Sequence, residues 1–239
     1  MHPDKQPYRL QKLCNTRWAS WYAAVNAICR TYDAILATLE LVGDSSDSEK
    51  AIEANGVHHQ VAKFSFVLSL VTFDKVLSCT KGLSDLDLDL SQAADLVVAT
   101  KSTLQEFRSD IYWEKPFQYT KSIAELHNIE IQDLSETRQR RLPKHFQDCL
   151  VLESTGSRDA LSCSNSYKTK LYFPIIDTFL SEMSRRFDEK NMNIMRAIQA
   201  CNPVAKNFLV PNLLLPLIEI YGLDKEMVEL EAKLAKRTL

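Results

Sequence analysis

Glycine is scarce in this sequence, with 5 in 239 residues alongside 8 prolines. Dinucleotide folds, phosphate-cradling loops and β-rich architectures all spend glycines at their turns, so this count argues against each of them. Charge of one sign is also missing. Lys and Arg number 29 against 31 Asp and Glu, a net charge of −2, which is unlike a free-standing basic nucleic-acid-binding domain. The longest apolar run, Phe64 to Phe73, is closed off by Lys63, Asp74 and Lys75 and reaches about half the length of a bilayer span. The first residues, Met1 to Leu13, are polar and contain Pro3 and Pro7, so they have no apolar core for a signal peptide. The expected chain is neither secreted nor membrane-inserted.

Motifs are equally thin. The sequence has no G-x-S-x-G, H-E-x-x-H, G-x-G-x-x-G or Walker lysine loop. Its six cysteines (Cys14, Cys29, Cys79, Cys149, Cys163, Cys201) show no C-x-x-C or C-x-x-H spacing, and so read as buried or neutral thiols of a reducing compartment. No metal, cofactor or small-molecule substrate is expected. His58-His59 is the one histidine pair, and neighbours on a helix point about 100° apart and do not share a metal; a helix start or an interface is the plainer reading. Asp85, Asp87 and Asp89 have no glycine turn to wrap an ion, and suit the positive end of a helix dipole better.

What is present is helical periodicity. Hydrophobic residues make up 45% of the chain and charged residues 25%, the composition of an ordinary globular protein. From residue 15 to 41, Trp18, Trp21/Tyr22, Val25, Ile28/Cys29, Tyr32, Ile35/Leu36 and Leu39 recur at steps of three and four, with Asn15 or Thr16 as N-cap and Gly43-Asp44 as the end. A second helical block spans about 48–83, with a break expected near Asn55-Gly56. Its 61–77 stretch is apolar on two faces, as a sandwiched core helix should be. Ala93, Val97, Thr100, Leu104, Phe107 and Ile111 form the next stripe, on a helix expected to continue to Leu126 with a bend at Pro116. Periodicity fades over about 128–165, apart from a short turn near Phe146 to Leu150. It returns from Tyr167 to Phe187 through Leu171, Ile175, Phe179 and Met183, with Pro174 kinking or restarting the helix. Short helices are expected at 190–200 and 212–221. A last one, from Asp224, carries Met227, Leu230, Leu234 and an i, i+4 Glu229–Lys233 pair. The organisation expected is a polar lead-in (1–14), a long-helix bundle (15–127), an irregular basic loop (128–165) and C-terminal helices packing on the bundle (166–239).

Two features have binding chemistry. Arg138, Arg140, Arg141 and Lys144 form the densest basic run, able to neutralise phosphates with salt-dependent affinity; a solvated loop or salt bridges to acidic helices explain them as well. Trp18, Trp21 and Tyr22 after Arg17 offer a stacking platform for an unstacked base, although aromatics at this spacing more often fill a core.

The string Leu10-Gln11-Lys12-Leu13-Cys14-Asn15-Thr16-Arg17-Trp18-Ala19-Ser20-Trp21-Tyr22-Ala23-Ala24-Val25 resembles the "L-x-x-L-C-x-T-R-W-x-x-R-x-x-A" segment of hAT-superfamily transposases, closest to the branch with zinc finger MYM-type proteins and other domesticated relatives. Phe64-Ser65-Phe66-Val67-Leu68, Val76-Leu77, Leu83-Ser84, Arg138-Gln139-Arg140-Arg141, Tyr172-Phe173-Pro174-Ile175-Ile176-Asp177, Glu182-Met183 and Arg185-Arg186-Phe187 are similar to the same branch, in the same order over about 10–235. The resemblance implies an all-α, irregular multi-helix bundle like the helical insertion domain of these transposases, without a complete RNase H-like sheet. It also implies a nuclear location; otherwise the expectation is cytoplasmic. In the family the Trp matching Trp18 stacks on distorted DNA at the transposon end, beside the Arg matching Arg17. Trp21 stands where the branch often has Arg.

Strand transfer in the family needs three carboxylates holding two metal ions. The two Asp and the C/D-x-x-H motif lie upstream of the Arg-Trp segment. The Glu lies downstream, in an "S-x-x-x-E-R-x-F-S" segment that leads the C-terminal dimerisation region. No Asp or Glu here matches those positions, and an N-terminal zinc finger has no counterpart, so no enzymatic activity is expected. Two readings remain: a non-catalytic hAT-type fragment or domesticated derivative, contributing DNA-end or protein contacts through Arg17, Trp18, Arg138, Arg140, Arg141 and Lys144, or a helical protein-interaction module with no nucleic-acid role. Partners under either are weakly bound DNA, another protein, or a second copy of the chain.

Overall fold

The computed structural model describes residues 18–45, 47–84, 90–132, 134 and 163–238. Among these the chain is all-helical. The helices are α1 (Trp18–Gly43), α2 (Ser48–Val61), α3 (Phe64–Thr80), α4 (Leu90–Phe107), α5 (Asp110–Leu126), α6 (Cys163–Tyr167), α7 (Phe173–Arg186), α8 (Glu189–Ala200), α9 (Pro211–Tyr221) and α10 (Lys225–Thr238). A 3-10 turn, Lys81–Ser84, follows α3. No described helix is long and apolar enough to cross a membrane.

The described residues fall into two compact units. One comprises, among the described residues, 18–27, 74–84, 90–108 and 176–238; the other comprises 28–45, 47–73, 109–132, 134 and 163–175. Helices α1, α3 and α7 contribute residues to both. In the first unit α4 packs on α8, α8 on α9, and α9 on α10. Ala93, Val97, Thr100, Leu104 and Phe107 are all buried along α4, as their spacing predicts. Ala200, Leu214 and Ile218 make a smaller core with Leu209, Leu213, Leu215 and Val228 around it. Polar ties reinforce the packing: Asn26 Nδ2 donates to Asp74 Oδ1 at 3.0 Å, Lys101 Nζ to the Phe187 carbonyl at 3.2 Å, and Gln199 Nε2 to Asp95 Oδ2 at 2.8 Å.

The second unit is built on aromatics. Phe64 sits 4.8 Å from Tyr167 and 5.7 Å from Phe117, and Trp113 lies 4.9 Å from Phe117 and 5.1 Å from Tyr172, centroid to centroid. These tilted and edge-on arrangements suit the ring quadrupoles. The buried polar ends find partners. Trp113 Nε1 donates to Ser164 Oγ at 3.3 Å, Tyr167 Oη to the Gln132 carbonyl at 2.6 Å, and Tyr32 Oη to the Val61 carbonyl at 2.8 Å. α3 is the core helix its two apolar faces announce, with Ser78 its one exposed residue.

Several boundaries differ from expectation, each for a local reason. α2 runs straight through Asn55-Gly56, because Asn55 Nδ2 is occupied by the Gly43 carbonyl at 3.4 Å and a single interior glycine costs only about 1 kcal/mol. The break falls instead at Ala62-Lys63. The stripe from Ala93 does not extend to Leu126: α4 stops at Phe107, and Ser109 caps a new helix by accepting from the Tyr112 N–H at 3.4 Å. Ile111 then sits in the first turn of α5, 83% exposed. Pro116 lies inside α5, and the Thr120 hydroxyl bonds back to its carbonyl at 2.7 Å.

The return of helix begins at Cys163, earlier than Tyr167. Between α6 and α7 the chain widens into a π-helical turn, Lys168–Tyr172, closed by the Phe173 N–H donating to the Lys168 carbonyl. Pro174 explains it: it has no N–H for the Lys170 carbonyl, and its ring would press on that carbonyl in a tight turn. The extra residue shifts the stripe locally by one, so Tyr172 and Ile176 are buried in place of Leu171 and Ile175, while Phe179 and Met183 are buried as their spacing predicts. In α10, Glu229 pairs with Lys225 at 4.0 Å rather than with Lys233. Among the described thiols, Cys29, Cys79 and Cys163 are half-buried and Cys201 is exposed. Asn15, Thr16, Asp85, Asp87, Asp89 and the turn near Phe146 to Leu150 lie outside the described residues.

Candidate contact surfaces

Of the sequence-derived site residues, Arg17, Arg138, Arg140, Arg141 and Lys144 lie outside the described residues. Trp18 is described, and its surroundings are specific. It opens α1 and is only 9% exposed. The Arg186 guanidinium, at the last turn of α7, lies over its ring at 4.7 Å from the centroid. Arg186 Nε also donates to Glu182 Oε1 at 2.8 Å, and Arg185 grips the same carboxylate through Nε at 3.0 Å and Nη2 at 2.6 Å. The two arginines hold the Glu182 carboxyl down at about 2, with the Arg185 hydrogen bonds the larger influence. Glu182 thereby pins the guanidinium that covers Trp18. A base stacking on that face would have to displace Arg186 first.

The other aromatics of α1 are likewise engaged. Lys81 Nζ stands 5.5 Å from the centre of the Tyr22 ring, and Trp21 is half-buried. Sequence reasoning did not single out Arg186 for this role. Its signal was the Glu182, Arg185, Arg186 spacing of three and four, which places both cations on the carboxylate's face of one helix.

His58 and His59 fall in the last turn of α2 rather than at its start, and His58 Nε2 lies 3.4 Å from Glu40 Oε1. Among the described residues no group of three His, Cys, Asp or Glu side chains is arranged to hold a metal ion. A cleft of about 520 Å³ opens between the start of α8 and the end of α9, with Asp188, Glu189, Lys190, Asn193 and Glu219 at its polar edge and Ile194, Pro216 and Ile220 at its apolar edge. Asp188 is already used there, as the N-cap accepting from the Asn191 N–H at 2.8 Å.

The last helix presents an apolar row to the solvent. Met227, Leu230 and Leu234 have the spacing of a core face, but they point outward, at 55%, 54% and 55% exposure, with Leu223 at 51% just ahead of them. The inner face of α10 is Val228, Ala232 and Ala235. Small residues let α10 lie close on the first unit and turn the larger side chains to the solvent. Asp224 Oδ1 caps the helix by accepting from the Met227 N–H at 3.0 Å. Comparison with protein-family models, with curated proteins and with solved structures finds no match in any of the three.

Proposed function

We propose that the chain is a non-catalytic helical module of hAT-transposase type that works through contacts in the nucleus, protein contacts foremost. The ordered resemblance along about 10–235 supports the origin. The observation that carries the choice of partner is Trp18: its ring is buried against Arg186 of its own chain, a structural use of the residue that in the family stacks on DNA. With that face covered, Trp18 secures the head of α1 and the exposed apolar side chains become the surfaces that recognise a partner.

DNA contact is the second reading, favoured by the basic run Arg138, Arg140, Arg141 and Lys144. Titrating the purified chain against a labelled DNA hairpin and a duplex between about 50 and 300 mM salt separates the two, since phosphate contacts lose affinity steeply with salt. The protein-contact reading expects weak binding that does not depend on Trp18. Micromolar binding with a steep salt slope that Trp18→Ala abolishes, with the fold intact by circular dichroism, overturns it in favour of transposon-end recognition.

A further inference from the structure

We infer that the outer face of α10 is a self-pairing surface: two copies of the chain meet there as an antiparallel helix pair. The inference names the partner for the protein-contact reading above and rests on it. Met227, Leu230 and Leu234 are spaced by three and four residues, which at about 100° per residue confines them to an arc of roughly 60° on α10, and Leu223 stands just ahead of the helix. Such a row is the seam of a two-helix pair, with alternating steps of three and four. All four residues are more than half exposed, while Val228 and Ala232 on the opposite side already anchor the helix to its own unit. The seam is therefore displayed by a helix fixed from behind.

Charge chooses the occupant and its direction. Asp224, Glu226, Glu229 and Glu231 lie in the first half of the segment, with Lys225 the one cation there, and Lys233, Lys236 and Arg237 lie in the second half. The helix is acidic at its start and basic at its end, which makes it complementary to a reversed copy of itself. Along one flank of the seam run Glu226, Lys233 and Arg237; on the other lies Glu231, with Asp224 at the cap. Antiparallel pairing sets like flanks face to face, so Glu226 of each copy meets Lys233 and Arg237 of the other, twice by symmetry. Parallel pairing sets opposite flanks together and brings Glu226 against Glu231. The acidic second flank gains nothing in the antiparallel arrangement, which keeps the pair weak. A 14-residue helix is only about 21 Å long and offers a contact at the small end of specific interfaces, so pairing in the range of tens of micromolar is expected.

Sedimentation equilibrium of the full chain from about 1 to 200 μM tests this. The expected result is a monomer–dimer equilibrium. Leu230→Glu, at an exposed position and with the helical signal unchanged, should raise the dissociation constant about tenfold or more. Glu226→Lys should weaken pairing about threefold, and adding Lys233→Glu should restore it. A chain that stays monomeric throughout, a dimer indifferent to Leu230→Glu, or pairing strengthened by Glu226→Lys each overturns the inference. A monomer leaves the protein-contact reading standing; only the DNA result described above overturns that.

Discussion

The contact between Trp18 and Arg186 makes a quantitative prediction. The ring is almost fully buried and the guanidinium lies 4.7 Å from its centroid, with the Arg186 side chain 37% exposed. A cation over an aromatic face is worth about 0.5–1 kcal/mol in water and about 2 when desolvated, so the half-covered geometry points to a coupling of about 1 kcal/mol. The perturbations are Trp18→Leu, which removes the face while filling most of the space, and Arg186→Met, which keeps the stem but removes the charge. Arg186→Met also loses the helical i, i+4 pair with Glu182, a cost of its own that cancels in the double-mutant cycle. Trp18→Leu should cost roughly 2 kcal/mol, below the 3–5 of a full truncation to alanine.

Urea titrations of the four proteins, followed by circular dichroism and by tryptophan emission, provide the cycle. With a urea dependence of about 3 kcal/mol/M for a chain of this size, a 1 kcal/mol coupling appears as a midpoint difference of about 0.3 M. Trp21 shares the unit of Trp18 and Trp113 belongs to the other, so emission changes carried by Trp18 must be isolated in a Trp21→Phe, Trp113→Phe background. A coupling below about 0.3 kcal/mol would refute the reasoning, because the two side chains would then be neighbours without interaction, and the covered face of Trp18 would no longer argue against base stacking.

Tyr32 and Tyr172 are pushed up to about 12, Tyr172 by burial and Tyr32 by burial with a smaller contribution from the Asp33 charge. The fold favours the neutral phenol in both, so their contribution is whole below pH 10 and is lost as pH rises from 10 to 12, up to roughly 2 kcal/mol each; absorbance titration should show their ionisation coinciding with unfolding. Two left-handed helix ends should respond in opposite directions to substitution. Asn128 (φ 54°) closes α5, with the Ile129 N–H on the Ala124 carbonyl at 2.8 Å, and Asn128→Gly should stabilise by a few tenths of a kcal/mol; Gly222 (φ 64°) closes α9, and Gly222→Ala should cost about 1 kcal/mol by thermal melting. Leu104 and Ile111 sit on one stripe by spacing, yet Leu104→Ala should cost about 3 kcal/mol and Ile111→Ala less than about 0.5, since only Leu104 is buried.

These contrasts show where the sequence is legible and where it stops. Period 3.6 finds a helix wherever apolar residues recur, and it correctly located α3 as core and the buried face of α4. It measures spacing and not direction, so it reads a buried row and a displayed row alike. Ile111 and the Met227–Leu230–Leu234 row both match the template and both face out. In α10 the small inner residues Val228 and Ala232 decide the matter, because a helix packs closest on its smallest side chains, and their stripe is less hydrophobic than the one it competes with. Pro174 shows a second limit: its position announces an irregularity, but only the widened turn before it reveals that the stripe advances by one residue, from Ile175 to Ile176. At the candidate surface the same distinction recurs. Arg17-Trp18 is conspicuous by resemblance, whereas Arg186 becomes meaningful only when α7 brings it over the indole from far along the chain. A residue whose role is to cover another carries no motif of its own. The exposed seam of α10 differs in this respect, because its own charge order, acidic then basic, is written in fourteen consecutive residues and names a reversed copy of itself as the complement.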